Sequence, residues 1–435
     1  MRADSCSSRA AGAHRLPVQA WGTVRRMRAE TAAWPDPALA ETEAGLRIAV
    51  LERPGPVVAV RLTIGVGARH GSRSGAAHMY EHLLFRTRAG AQARRLIEER
   101  GGEVGATTTR EQVSIDVVTL PGELPRALDA VARLAIARPT ATELELEREV
   151  VLRELAHEEE EQRRIWQLQA EALFGSEHPL ARPILGTAES LCALDADDLE
   201  ETRMRVLAGN AALAVVGPAA LDDVAEGAAA VLGDRQGTVA PEPDTPVVPG
   251  GRRHEERRSR LFHVAVGWRF GGLEDDRLTA LRLAEVVLAH GSGSRLYDRL
   301  RTRRRLAYRV STVLIPYQGA GHLSAVTACD PHHGRQAELA IVGEVERLAG
   351  KGPGFGELEI ARRQLLGSLA RAFESSRRLA GFAATQHLYG RLEPIGAFLD
   401  RIEATDSRAV AEAAQALVRS ERGHAIASVG RAPAA

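Results

Sequence analysis

Two stretches of this chain carry the same succession of apolar and polar patterns. The first opens with the strand-like run VVAVRLTIGV (57–66) and passes through a helix-like segment. It continues as RRLIEERGGEVGATTTREQVSIDVVTL (94–120) and reaches the helical LPRALDAVARLA (124–135). The second opens with FHVAVGWRF (262–270) and a long helix, then runs through DRLRTRRRLAYRVSTVLI (298–315) to RQAELAIVGEVERLA (335–349). Each also ends in a strand-like segment, NAALAVVG (210–217) and GHAIASVG (423–430). Strand, helix, strand pair and helix recurring at matching intervals predict a duplication. The expected class is α+β, with two homologous domains, each an antiparallel-rich sheet with helices on one face. Between them GTVAPEPDTPVVPGGRR (237–253) holds four prolines, which disfavour helix and sheet interior alike. A linker is therefore expected over 237–256, separating a first domain at 36–236 from a second at 257–435. Residues 1–35 are expected to be an N-terminal extension outside both.

Composition narrows the function without naming it. A chain of 435 residues with 44% hydrophobic and 26% charged residues suits a globular protein with sizeable cores. Lys+Arg and Asp+Glu balance at 57 each, so no bulk field points to nucleic acid as a partner. Lys351 is the one lysine, a bias read as coding preference rather than function. Cys6, Cys192 and Cys329 show no C-x-x-C spacing, which excludes a cysteine-rich zinc module and fits a reducing, cytoplasmic setting. No apolar run approaches the roughly 18 residues of a membrane span. The first 35 residues are arginine-rich and lack the apolar core of a secretory signal, so a frayed tail, or a start at Met27, is expected over a transit peptide.

The stretch GAAHMYEHLLF (75–85) changes the picture. On a helix His78 and His82 lie one turn apart, so both imidazoles can reach one ion. Glu81 sits beside that face, where a carboxylate can take the proton of an attacking water. A buried histidine pair with incidental hydrogen bonds is the rival reading. A third ligand is offered by ELEREVVLREL (145–155), a helix with Glu147 and Glu154 seven residues apart on one face. The apolar Val150, Val151 and Leu152 mark this helix as packed, and an inward carboxylate there needs a partner.

HMYEH followed some 70 residues later by EREVVLREL resembles the inverzincin zinc peptidases of the pitrilysin, insulinase and mitochondrial processing peptidase family. The resemblance extends through GGEVGATTTREQ (101–112), EHPLARPILGT (177–187) and GSGSRLYDRLRTRRRLAYRV (291–310) to ARRQLLGSLARAFES (361–375). It implies the mitochondrial processing peptidase-like fold and one Zn2+ per chain on His78, His82 and Glu154. It implies Glu81 as general base and Glu147 as the carboxylate that supports the ligands. In LRTRRRLAY it implies Arg301 as an anchor for substrate backbone and Tyr308 as a donor to the substrate carbonyl. The substrate is then a peptide or an unstructured precursor segment. The working form is a homodimer, or a heterodimer with a paralogue, in which one chain's Arg301 and Tyr308 serve the other's metal.

Three positions depart from the pattern: Gly105 where relatives carry asparagine, Ile115 where they carry an aromatic, and Arg305 where they carry glycine. The edge strand is still expected to bind peptide through main-chain groups. The family also contains structural subunits with eroded sites, so a non-catalytic scaffold stays open beside the peptidase.

Overall fold

The computed structural model describes residues 34–71, 73–157, 161–208, 210–232, 250–420 and 423–431, without the side chains of 161–163. The first sheet lies in the order β1 (Ala38–Glu41), β2 (Arg47–Glu52), β6 (Ala211–Gly217), β3 (Val58–Ile64), β5 (Val113–Thr119), β4 (Glu103–Thr108). The second runs β7 (Arg252–Glu255), β11 (His424–Val429), β8 (Phe262–Phe270), β10 (Gly321–Cys329), β9 (Ala307–Pro316). From β2 and β7 onward the two orders are the same, and in each the first pair is parallel and the remainder antiparallel. The duplication read from the apolar pattern is thus a duplication of topology. Strand β1 is an addition to the first sheet, paired antiparallel on β2.

Helices cover both faces of each sheet, not one, because the two halves exchange a helix. Helix α3 (Leu124–Ala135) packs on β3 and β5, where Leu128 and Val131 meet Val60 and Leu62. The other face of that sheet is covered from the second half, by α12 (Ser376–Leu388) lying on β2, β3 and β6. There Leu379, Ala380 and Ala383 meet Leu51, Ala59 and Val216. Conversely α5 (Glu161–Phe174), from the first half, packs on β8 and β11, with Ile165 and Leu168 against Ala265, Ala427 and Val429. The opposite face carries α9 (Leu278–Ala289), α10 (Gly334–Lys351) and α14 (Ser407–Val418). Strands buried on both faces read as continuous apolar runs, which is why β6 is AALAVVG and buried throughout. Each such Leu, Ile or Val stabilises the exchanged packing by roughly 1.5–3 kcal/mol.

The expected linker lies outside the described residues up to 249, and its last part, Arg252–Glu255, is β7. Most of the N-terminal extension, residues 1–33, also lies outside them. No described helix is long and apolar enough to cross a membrane.

Candidate metal centre

Helix α1 (Ala76–Leu84) begins at Gly75, whose φ of 87° is left-handed and whose missing side chain leaves room for the Leu185 carbonyl. Met79, Tyr80, Leu83 and Leu84 are buried, and Tyr80 Oη donates to the Ala137 carbonyl (2.9 Å). These contacts fix the rotation of the helix. His78 and His82 are thereby presented to α4 (Ala141–His157), with which α1 packs. In α4, Leu144, Glu147 and Val151 form the buried stripe, and Leu144 and Val151 join Met79 and Leu83 in a shared apolar cluster. Glu154 continues that stripe one turn further on.

One ligand atom each from His78, His82 and Glu154 lies within 4.8 Å of the others. Glu154 Oε2 is 3.2 Å from His82 Nε2 and 4.0 Å from His78 Nε2. The two rings meet edge to face at 4.6 Å between centroids. His78 is buried, and its Nδ1 has no hydrogen-bond partner among the described residues. Burial, aided by the neighbouring His82, lowers its pKa to about 4, so the imidazole is neutral near pH 7. A buried, neutral, unsatisfied imidazole beside a second imidazole and a carboxylate fits a divalent zinc-like cation. His78, with no partner at Nδ1, lacks the incidental hydrogen bonds of the rival picture, whereas His82 has a carboxylate near each ring nitrogen.

Glu147 is 4% exposed at its side chain and is no part of the three-atom cluster. Its Oε1 is 2.9 Å from His82 Nδ1, and its other oxygen pairs with Arg86. An imidazole that gives Nδ1–H to a carboxylate keeps Nε2 as the lone-pair nitrogen, which is the atom facing Glu154. Glu81 is not one of the three clustered groups but interacts with His82 and Glu154, and burial pushes its carboxyl above the ordinary range, opposed by a hydrogen bond from Thr108.

His78 and Glu81 border a cavity of about 880 Å³. Its lining includes Ala106–Thr108 of β4, the segment 183–188, and the charged Arg164, Glu255 and Arg257. Among the described residues strand β4 is paired only with β5, which leaves its outer edge open for a further strand. Gly105 lies on it with open space where a side chain would extend. Ile115, on β5, is wholly buried beneath the strand, among the residues that pack with Leu62 and Val117. Ile115 therefore belongs to the core and not to the open edge.

Arg301 and Tyr308 do not join this constellation within the chain. Arg301 lies in a wide, π-type helical turn (Tyr297–Arg303) and stacks its guanidinium on Tyr297, 5.1 Å from the ring centroid. Tyr308, near the start of β9, is 77% exposed, and neither residue borders the cavity. Arg305 keeps a left-handed backbone (φ 52°), the conformation a glycine would adopt there without strain. Thr108, whose hydroxyl reaches Glu81, escaped the sequence reading; its only signal was a polar residue inside a strand-like run.

The metal-site half and its partner both match known proteins. A family profile described as Insulinase (Peptidase family M16) matches residues 47–188, and one described as Peptidase M16 inactive domain matches 193–365. An uncharacterized zinc protease of Mycobacterium tuberculosis is 31% identical over 420 residues, 92% of this chain and 95% of that protein. Subunit 1 of the mitochondrial cytochrome b-c1 complex of Bos taurus is 26% identical over 403 residues, 87% of this chain and 83% of that one. A protease from Helicobacter pylori shares the fold at a TM-score of 0.81 and 18% identity, over 91% of this chain and 100% of that chain. This chain belongs to the insulinase family, peptidase family M16.

Proposed function

We propose that this protein is a zinc metallopeptidase that hydrolyses peptide bonds in peptides or unstructured precursor segments. The observation that carries the reading is the convergence of His78, His82 and Glu154, with His78 and Glu81 bordering a cavity that strand β4 also lines. Each chain would hold one Zn2+ on those three side chains, with Glu147 fixing the tautomer of His82. Zinc held there supplies Lewis acidity, polarising a carbonyl and making a water more acidic. An extended peptide pairs with the free N–H and C=O groups of β4, which lays its backbone across the cavity. Glu81 would receive the proton of the attacking water and pass it to the departing amine. Intact ligands and base favour this over the scaffold role open to a relative of a b-c1 subunit.

The exposure of Tyr308 and Arg301 away from the cavity supports a shared site. A second subunit, a like copy or a paralogue, would bring its Tyr308 to the developing oxyanion and its Arg301 to the substrate backbone.

The test is mass spectrometry of a mixed peptide library incubated with zinc-loaded protein and with Glu81→Gln. Cleavage is expected from the wild type alone, lost on chelation and regained with zinc. Equal cleavage by Glu81→Gln would remove the assigned base, and with it the mechanism.

A further inference from the structure

The residue that hydrogen-bonds Glu81 opens a turn that buried polar contacts tie to the other half of the molecule. Thr108, the final residue of β4, donates from Oγ1 to Glu81 Oε2 at 2.9 Å and is itself buried. The turn that follows is closed internally: Thr109 N–H donates to the Gln112 carbonyl (2.8 Å), and Gln112 N–H donates to Thr109 Oγ1 (3.0 Å). It is also pressed against Gly67, where any side chain would strike the Gln112 backbone.

Two side chains of this turn reach across to the second half. The Glu111 carboxylate is buried and accepts from Arg69 (2.5 Å), from the backbone N–H of Gln318 (3.0 Å) and from Tyr389 Oη (3.3 Å). The Gln112 amide donates to Tyr389 Oη (2.9 Å) and accepts from Thr385 Oγ1 (3.4 Å). Gln318 belongs to the connection between β9 and β10, Thr385 to α12, and Tyr389 directly follows α12. A buried carboxylate cannot leave its donors without a large desolvation penalty, so the turn is pinned in one position. Thr108 begins that turn, and the place of its hydroxyl follows.

We propose that Thr108 is a positioning residue for Glu81, and that the second half of the same chain sets its position through Glu111, Gln112 and Tyr389. The inference rests on the reading of Glu81 as general base. A glutamate side chain has free rotation about several bonds, and a proton transfer needs its oxygen within hydrogen-bond reach of the water. The Thr108 hydroxyl holds Oε2, and the Thr108 backbone N–H also bears on the same carboxylate, so this one residue fixes where the carboxylate sits. The second half thus acts on the metal site from within its own chain, separately from any contribution of a partner's Arg301 and Tyr308.

The experiment uses the full zinc-loaded chain and a peptide it cleaves, with zinc content measured for every variant. Thr108→Val is expected to lower kcat roughly ten- to a hundredfold with KM within about twofold, and Thr108→Ser to restore most of it. Tyr389→Phe should lower kcat several-fold in the wild type and by less than about twofold in Thr108→Val, because both act on one contact. Equal factors in the two backgrounds, or a loss borne by KM alone, would overturn the relay. A second measurement stands apart from activity: a double-mutant cycle of Thr108→Val and Glu81→Ala read in melting temperature. Coupled shifts are expected, and additive shifts would show that Thr108 does not hold Glu81. If the wild type cleaves nothing, the peptidase reading fails, and this cycle still decides the contact.

Discussion

Removing Glu147 tests whether the metal centre depends on a residue that supplies none of its ligand atoms. The carboxylate is almost wholly buried, accepts from His82 Nδ1 at 2.9 Å and pairs with Arg86. Glu147→Gln keeps the length and one acceptor oxygen but removes the charge that makes His82 a stronger donor. Glu147→Ala removes both and frees the ring to rotate. Losing such a contact costs roughly ten- to a hundredfold in metal affinity, with Gln near the lower bound and Ala near the upper. As free energies these are about 1.4 and 2.7 kcal/mol. Arg86 adds little to either, because its side chain is 55% exposed and returns to water once its partner is gone. Zinc affinity is read by competition with a chromophoric chelator, with thermal melts of the metal-free proteins as a check on folding. If both variants bind zinc within about twofold of the wild type while His82→Ala does not, the orientation of His82 is set elsewhere and the reasoning is wrong.

Three further outcomes follow from separate parts of the molecule. Burial lowers the pKa of His322 to about 3, so below about pH 6.5 the unfolded chain takes up a proton that the native state refuses. That group alone should remove about 2 kcal/mol of stability at pH 5, and His322→Asn should flatten the slope of urea midpoints between pH 7 and pH 5, whereas parallel slopes would exclude the group. Arg305→Gly should raise stability by roughly 0.5–1 kcal/mol, seen as a higher urea midpoint at unchanged slope, since only glycine takes a left-handed backbone without strain. Mixing Glu81→Gln with Tyr308→Phe, each inactive alone, should restore part of the peptidase activity if the site is shared; no recovery after verified subunit exchange would confine the chemistry to one chain.

The local periodicities were readable because each is fixed by near neighbours. FHVAVGWRF coincides with β8, and LPRALDAVARLA with α3. The i, i+4 spacing of His78 and His82 places both rings on one side of α1 whatever surrounds it. Glu147 and Glu154 were readable for the same reason, though spacing alone does not say which belongs to the metal cluster. What escaped depends on distant partners. RRHE has no apolar period, and it becomes β7 only because β11 lies beside it. The exchange of α5 and α12 leaves no trace in either half, since an apolar helix face does not record which sheet it will cover. Thr108 and Glu111 are unremarkable in TTTREQ, and only the fold brings Tyr389 and Gln318 to them.

Strand order also dictates when each half can become complete during synthesis. β6, at 211–217, fits between β2 and β3, which the ribosome releases some 150 residues earlier. β11, at 424–429, fits between β7 and β8 in the same way. In each sheet an interior strand emerges last, so two earlier strands wait with bare hydrogen-bonding edges facing each other. Pairings so distant in sequence close slowly, and unfilled edges invite strands from other nascent chains. The exchanged helix deepens the wait, because the first sheet also lacks a cover until α12 has been made. The candidate metal ligands, all present by residue 154, are therefore encoded well before the sheet beside them can close.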